Sequence, residues 1–336
     1  MKWEFSEMKV LFVYRNSKMG FSIGKLFHYI ENAMRQLADV DHLELPCANY
    51  HPVSLMRNVR CLKRKLRSQH YDVVHITGTE HYLLPFLRKE KIVVTVHDLG
   101  FYTQTKRTLR TRLKFLLWIK TLPLASYVAF ISDKSKEEAM GLVTFRKGCY
   151  GTVWNPIDPA YKSFPKHINT SCPVILHVGT KENKNLKNTI LALDGGSCRL
   201  RIVGQLSEKQ IEMLRKHAID YSSTSNLTDA EMLQEYINCD YVNFPSLYEG
   251  FGMPILEGQA VGRPVLTSNL RPMVDVAGEG AVLVDPASPE SIRKGYEYIS
   301  SHVSLLVQSG IENAKRFHVS RVARQYYDIY TSLLIY

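Results

Sequence analysis

Two glutamates, Glu249 and Glu257, stand eight residues apart in Phe244-Pro245-Ser246-Leu247-Tyr248-Glu249-Gly250-Phe251-Gly252-Met253-Pro254-Ile255-Leu256-Glu257. Tyr241 to Phe244 has the aromatic and β-branched character of a short strand. Gly250 and Gly252 permit positive φ and a close approach of backbone to a ligand. Pro254 suits a first helical turn, and Ile255-Leu256 begin an apolar face. A helix opened in this way aims free N–H groups and a partial positive charge at whatever lies in front of it, which suits a phosphate. Carboxylates on either side suit hydroxyls, and a bidentate carboxylate suits a diol. Together they suggest a nucleotide sugar. Strand-loop-helix segments with Gly and Pro also occur where nothing binds, and a glutamate near a helix start is a favourable dipole partner, so the assignment needs other residues.

Lys184 is one. Strand-like Val174–Val178 is followed by Gly179-Thr180-Lys181-Glu182-Asn183-Lys184-Asn185-Leu186, which enters a helix. A lysine there opposes the helix dipole, so an anionic ligand is its simplest explanation. His97 is another. It follows the strand Ile92–Val96, and a histidine at the carboxyl end of a central strand points into the crevice where open α/β sheets bind ligands. The alternative is a helix-capping Asp98 beside an incidental histidine. His75, within Val73–Thr77, reads as structural. The first strand, Lys9–Tyr14, leads into a turn with one well-placed glycine, Gly20, and no Gly-x-Gly-x-x-Gly, so a dinucleotide reading lacks support.

The run Pro245 to Glu257, followed by Gly262-Arg263-Pro264-Val265 and Val274-Asp275-Val276-Ala277-Gly278, resembles the Glu-x7-Glu motif of the family 4 (group 1) retaining glycosyltransferases. The resemblance implies an α/β fold of the GT-B type. Two Rossmann-like doubly wound domains would face each other across a cleft, with a C-terminal helix crossing back to the first. It implies transfer of a hexose from a UDP- or GDP-linked sugar to a glycan or lipid-linked acceptor in surface polysaccharide synthesis, with no cofactor and no metal. Glu249 and His97 would be the catalytic residues, Glu249 on the sugar hydroxyls and His97 near the donor sugar, with no nucleophile or general base identified. Glu257 would take the ribose. Gly179, Thr180 and Lys184 would hold the diphosphate with the amides around Gly250, Phe251, Gly252 and Met253. Acceptor contacts would fall on Gly20, Phe21 and Ser22. Two positions depart from the pattern: Asn183 replaces a frequent arginine, and Pro156 replaces the glycine of an Asn-Gly-x-Asp element. Another GT-B enzyme such as an epimerase, or a non-catalytic nucleotide-sugar-binding or scaffold protein at the membrane, are the alternatives.

The rest of the chain must position these groups. At 336 residues two domains are natural. Prolines at 156, 159, 165 and 173 mark a linker, giving an acceptor domain over 1–165, a nucleotide-sugar domain over 166–315, and a last helix over 316–336 carrying Val322, Tyr326, Ile329 and Leu333. Hydrophobic residues at 45% and charged residues at 22% describe a soluble globular protein. No apolar run approaches the ~20 residues of a spanning helix, and the N-terminus lacks a signal-peptide core, so a cytoplasmic location is expected. Six scattered cysteines argue against a zinc site and a disulfide framework.

The charge is uneven. Residues 1–165 hold 26 Lys+Arg against 14 Asp+Glu, or +12, while 166–336 come to −1. Two basic stretches, 57–67 and 106–120, carry much of it, and in the second Leu109, Leu113, Leu116, Leu117 and Lys120 follow helical spacing. They read either as solvated helices with one face in the core or as a peripheral contact with the anionic inner face of the plasma membrane. No motif supports nucleic acid.

Overall fold

A computed structural model of the chain describes residues 8–20, 22–87, 89–103 and 108–335. Phe21 of the acceptor turn, and Lys106 and Arg107 of the second basic stretch, lie outside the described residues. The chain divides into two compact units, Met1–Asp158 with Val319–Tyr336, and Pro159–His318. The division falls before residue 165 because the linker already packs on the second unit. The Tyr161 ring meets Tyr236 edge-on at 5.5 Å, and Phe164 N–H donates to Val261 O at 3.2 Å.

The first unit holds a sheet of β1 (Lys9–Tyr14), β2 (Asp39–Glu44), β3 (Val73–Ile76), β4 (Ile92–Val96), β5 (Tyr127–Phe130) and β6 (Tyr150–Thr152). Its order is β2-β1-β3-β4-β5-β6 with every pairing parallel. The second unit holds β7 (Val174–Val178), β8 (Arg199–Val203), β9 (Tyr221–Thr224), β10 (Tyr241–Phe244), β11 (Val265–Ser268) and β12 (Ala281–Val284). Its order, β12-β11-β10-β7-β8-β9, is again parallel throughout. Helices cover both faces, so β3, β4, β10 and β11 are buried at every residue, and β4 reads as an unbroken β-branched run. In β1 the alternation survives. Leu11 and Val13 enter one core, and Val10, Phe12 and Tyr14 the other.

That second core is closed by the helices Ser22–Met34 and Val319–Ile335. The last helix buries Val322, Ala323, Tyr326 and Tyr330, with Ile329 and Leu333 partly buried beside them. Its tyrosine hydroxyls meet polar groups of the sheet. His75 Nδ1 pairs with Tyr330 OH, His75 Nε2 with Thr95 Oγ1 at 2.8 Å, and Thr95 Oγ1 with Tyr326 OH at 2.9 Å. His75 is therefore structural, its polar atoms satisfied within the core.

The second basic stretch differs from the core-facing helix that its spacing suggests. Leu109, Leu113 and Leu116 are 84%, 56% and 49% exposed, whereas Trp118 and Ile119 are buried. The reason is local. The helix Leu109–Lys114 widens over Phe115–Ile119 into a π turn, with Lys120 N–H reaching Phe115 O, and the wider turn shifts which residues face inward.

Burial drives four histidines down from 6.5, to about 3 for His75 and His177 and to about 4 for His81 and His97. Between these values and 6.5 the unfolded chain binds protons that the folded chain does not, so stability rises with pH there. One carboxyl, Glu80, works in the opposite sense, pushed up to about 7 by burial, and does not reverse the sum. The urea midpoint should therefore fall as pH drops from 7 to 5. An unchanged midpoint would mean that these rings are protonated inside the fold.

Candidate functional site

β10 ends at Phe244, and the chain turns through residues 245–251 before the helix Met253–Val261. Gly252 caps that helix at φ 119°, a left-handed conformation open to glycine, and no side chain caps it. Pro254 sits in the first turn, where its missing N–H costs no helical bond. The Phe251 ring is buried against Phe317 at 6.0 Å. Phe251 thus anchors the turn by its side chain and leaves only its backbone for a ligand.

Lys184 meets this turn. Its Nζ lies 2.6 Å from Glu249 Oε1 and 4.6 Å from the centre of the Phe244 ring. Both side chains are largely buried, at 20% and 15% exposure. Sequence reasoning assigned the two residues to different parts of a ligand; the fold makes them counter-ions. Gly179, at φ +93°, is what lets the lysine pass, since a Cβ there would sit 2.9 Å from Lys184 Cγ. Thr180 is turned to internal use. Its hydroxyl donates to Gln205 O at 2.7 Å, its carbonyl accepts from Gln210 Nε2 at 2.8 Å, and Gly204 leaves room for its methyl group.

Asn183, at the position of the missing arginine, braces the glutamate turn. Its Nδ2 donates to Tyr248 O at 3.0 Å, and its carbonyl accepts from Leu247 N–H at 2.8 Å. An amide holds the loop but restores no positive charge. Asn185 is a residue that sequence reasoning passed over. Left-handed at φ 63° and buried, it donates to Pro245 O at 3.0 Å and Pro286 O at 2.7 Å, joining three loops at the sheet's carboxyl edge. Its signal was the tolerance of asparagine for that conformation. Tyr236 is a second. Its hydroxyl donates to Glu257 Oε2 at 2.6 Å and fixes that carboxylate. Nothing local foretells it, because the partners are 21 residues apart.

In the first unit His97 is 7% exposed, with Nε2 2.9 Å from Thr77 O. Burial holds the ring neutral, so Nε2–H donates to that carbonyl and Nδ1 keeps its lone pair for a donor such as a sugar hydroxyl. Gly20 stands at φ +118° with its carbonyl 3.0 Å from Arg15 Nη2. Ser22 opens the helix Ser22–Met34.

A lysine and a carboxylate thus converge at the carboxyl edge of a parallel α/β unit, where open sheets of this kind hold their ligands. Comparison with known proteins agrees. Residues 161–316 match the family Glycosyl transferases group 1, and residues 28–161 match Glycosyltransferase Family 4. The chain belongs to the family 4 (group 1) glycosyltransferases. O-antigen chain mannosyltransferase B of Escherichia coli is 24% identical over 286 residues, covering 73% of this chain and 71% of that protein. Among solved structures, a sucrose-phosphate synthase from Thermosynechococcus elongatus superposes with a TM-score of 0.76 at 16% identity over 98% of this chain and 99% of that one. HepE of Anabaena, solved with UDP and glucose, gives 0.74 at 16% identity over 97% and 100%. The two six-stranded units thus have the GT-B fold.

The contact between Gly179 and Lys184 yields a test. Gly179→Ala should strain the backbone by ~1–3 kcal/mol and push Lys184 aside. The affinity for UDP or GDP, read by thermal stabilisation, should fall about as far as in Lys184→Ala. The double variant should then lose little more than either single change. Full additivity would show that Gly179 and Lys184 act independently.

Proposed function

We propose that this protein is a retaining hexosyltransferase that moves a hexose from a UDP- or GDP-linked donor to a glycan or lipid-linked acceptor in polysaccharide synthesis. Mannose is the first sugar to test, since the E. coli relative is a mannosyltransferase. The observation that carries the reading is Lys184 held 2.6 Å from Glu249, beside a helix start that no side chain caps.

A diphosphate entering this site competes with Glu249 for Lys184. The lysine and the helix amides then stabilise charge developing on the leaving diphosphate, and the carboxylate turns to the hydroxyls of the sugar. Glu257, oriented by Tyr236, takes the ribose diol. His97 offers its Nδ1 lone pair to the donor sugar. The bond from the anomeric carbon to the diphosphate breaks and the bond to the acceptor oxygen forms on the same face, with the acceptor proton passing to a phosphate oxygen. Retention follows without a covalent sugar-enzyme intermediate.

A donor panel of UDP- and GDP-hexoses tests this, with nucleotide release as readout and the product anomer read by NMR. Lys184→Ala should lower kcat by ~10²–10³-fold. Glu257→Ala should weaken nucleotide binding, and Tyr236→Phe should do so in the same direction by less. Binding without turnover of any donor would overturn the enzymatic reading, and an inverted product would overturn retention.

Attachment to anionic membrane is part of the proposal. Leu109, Leu113 and Leu116 form an exposed apolar stripe beside Arg112 and Lys120, and Arg57, Arg60, Arg64 and Arg67 line the exposed side of the helix Pro52–Ser68. Among the described residues no helix is long and apolar enough to cross a membrane, so the contact would be peripheral. Each basic residue near the surface contributes ~1 kcal/mol, and leucine insertion adds a term that salt does not screen. The protein should float with phosphatidylglycerol vesicles at low salt. Leu113→Ser with Leu116→Ser should reduce vesicle binding by about tenfold or more, leaving nucleotide binding unchanged. A wild-type protein that does not float at low salt would remove membrane attachment.

A further inference from the structure

Three side-chain atoms of the first unit are buried without a hydrogen-bond partner among the described residues: Nε of Arg15, Oε2 of Glu80 and Nε2 of His81. They are not scattered. Arg15 directly follows β1, and Glu80 and His81 follow β3, its neighbour in the sheet. All three belong to the carboxyl edge, where parallel α/β sheets hold their ligands. Unpaired buried polar atoms are rare and costly, and most so when charged, so three of them at one edge call for a partner.

The Arg15 and Glu80 side chains share one space. A Cβ on Gly78 would stand 2.8 Å from Glu80 Oε2 and 3.8 Å from Arg15 Cδ, so both reach over a glycine that leaves them room. Arg15 is steadied by Nη2 donating to Gly20 O at 3.0 Å, in the turn expected to meet the acceptor. Glu80 is 2% exposed and receives a long bond from Thr79 Oγ1 at 3.4 Å, while Thr79 Oγ1 also meets Tyr50 OH at 3.2 Å. No ion pair joins Arg15 and Glu80 directly, and each keeps an unused polar atom.

We propose that Arg15 and Glu80 form a specificity seat for an uncharged glycosyl acceptor, with Glu80 Oε2 accepting a hydrogen bond from a sugar hydroxyl and Arg15 Nε donating to a neighbouring acceptor oxygen. Where Glu80 is ionised, its carboxylate offsets the charge of the neighbouring guanidinium and repels an anion, so the pair favours a neutral sugar over a phosphate. His81, the next residue in the chain, is neutral and donates from Nδ1 to Trp118 O at 2.9 Å. Burial pushes the Glu80 carboxyl up to about 7, opposed by Arg15, as expected of a carboxylate whose hydrogen-bond donors arrive with a ligand. The inference rests on the glycosyltransferase reading and adds to it the residues that choose the acceptor.

The test uses the full chain, its active sugar nucleotide and a panel of octyl glycosides with manno, gluco, galacto and N-acetylglucosamino heads. Against the best of these, Glu80→Gln should raise the acceptor KM by ~10–100-fold, the range expected for a hydrogen bond to a charged group. Donor KM and the slow release of nucleotide to water should stay within about twofold. In deoxy analogues of that acceptor, one missing hydroxyl should cost the wild type heavily and the variant little. Gly78→Ala, which crowds Glu80, should raise the acceptor KM as well. A variant that changes stability alone, or donor and acceptor KM equally, would make the cluster a structural water site and overturn the proposal. Hydrolysis of donor with transfer to no neutral glycoside would overturn it too, whereas a wild type that turns over no sugar nucleotide would first refute the glycosyltransferase reading.

Discussion

Lys184 and Glu249 approach to 2.6 Å in a setting that removes most of the water from both. Pairing offsets the loss of hydration that each charge suffers there. Much of the second unit's carboxyl edge is arranged around that constraint. Gly179 has no side chain so that the lysine can cross it, Asn183 fastens the loop that carries the glutamate, and Asn185 ties both to the loop after β12. A site held by an internal ion pair is preorganised for a ligand that carries one of the two charges. In the proposed reaction, a diphosphate takes the lysine and leaves the carboxylate to the sugar.

The first unit solves a different problem. Its sheet places polar residues inside a core, and the last helix satisfies them with the hydroxyls of Tyr326 and Tyr330. His75 is fully paired by that arrangement, whereas His97, one strand further along, keeps a nitrogen without a described partner. The contrast separates a histidine that holds the fold from one available to a ligand. Both are neutral for the same reason, burial, and differ only in what stands within reach of their nitrogens.

The strand and helix pattern was legible because parallel strands covered on both faces read as largely apolar runs, and several helix starts carry their own capping residues. The turn from Pro245 to Glu257 was legible because its chemistry is contiguous. What escaped depended on distance along the chain. Tyr236 orients Glu257 across 21 residues, and Glu80 shares the space over Gly78 with Arg15 after β1. The leucines of the second basic stretch were legible in spacing but not in direction. A π turn, which has no reliable signature, brought Trp118 and Ile119 into the core in place of Leu113 and Leu116. The linker was placed late because Tyr161 and Phe164, which look like spacer residues between prolines, pack into the second unit.

The sequence by itself determined the local chemistry of a glycine-opened helix start bracketed by two carboxylates, which follows from residue type at short spacing, where dihedral preference and periodicity act. The class of the protein and its GT-B fold came from the resemblance of that run to a known family. Only the tertiary structure decided that Glu249 and Lys184 are partners, that Thr180 serves its neighbouring loop, and that Arg15, Glu80 and His81 gather unpaired atoms at one edge. Partnership between distant side chains is set by strand order and loop packing, and parallel crossover connections bring together residues that no local pattern relates.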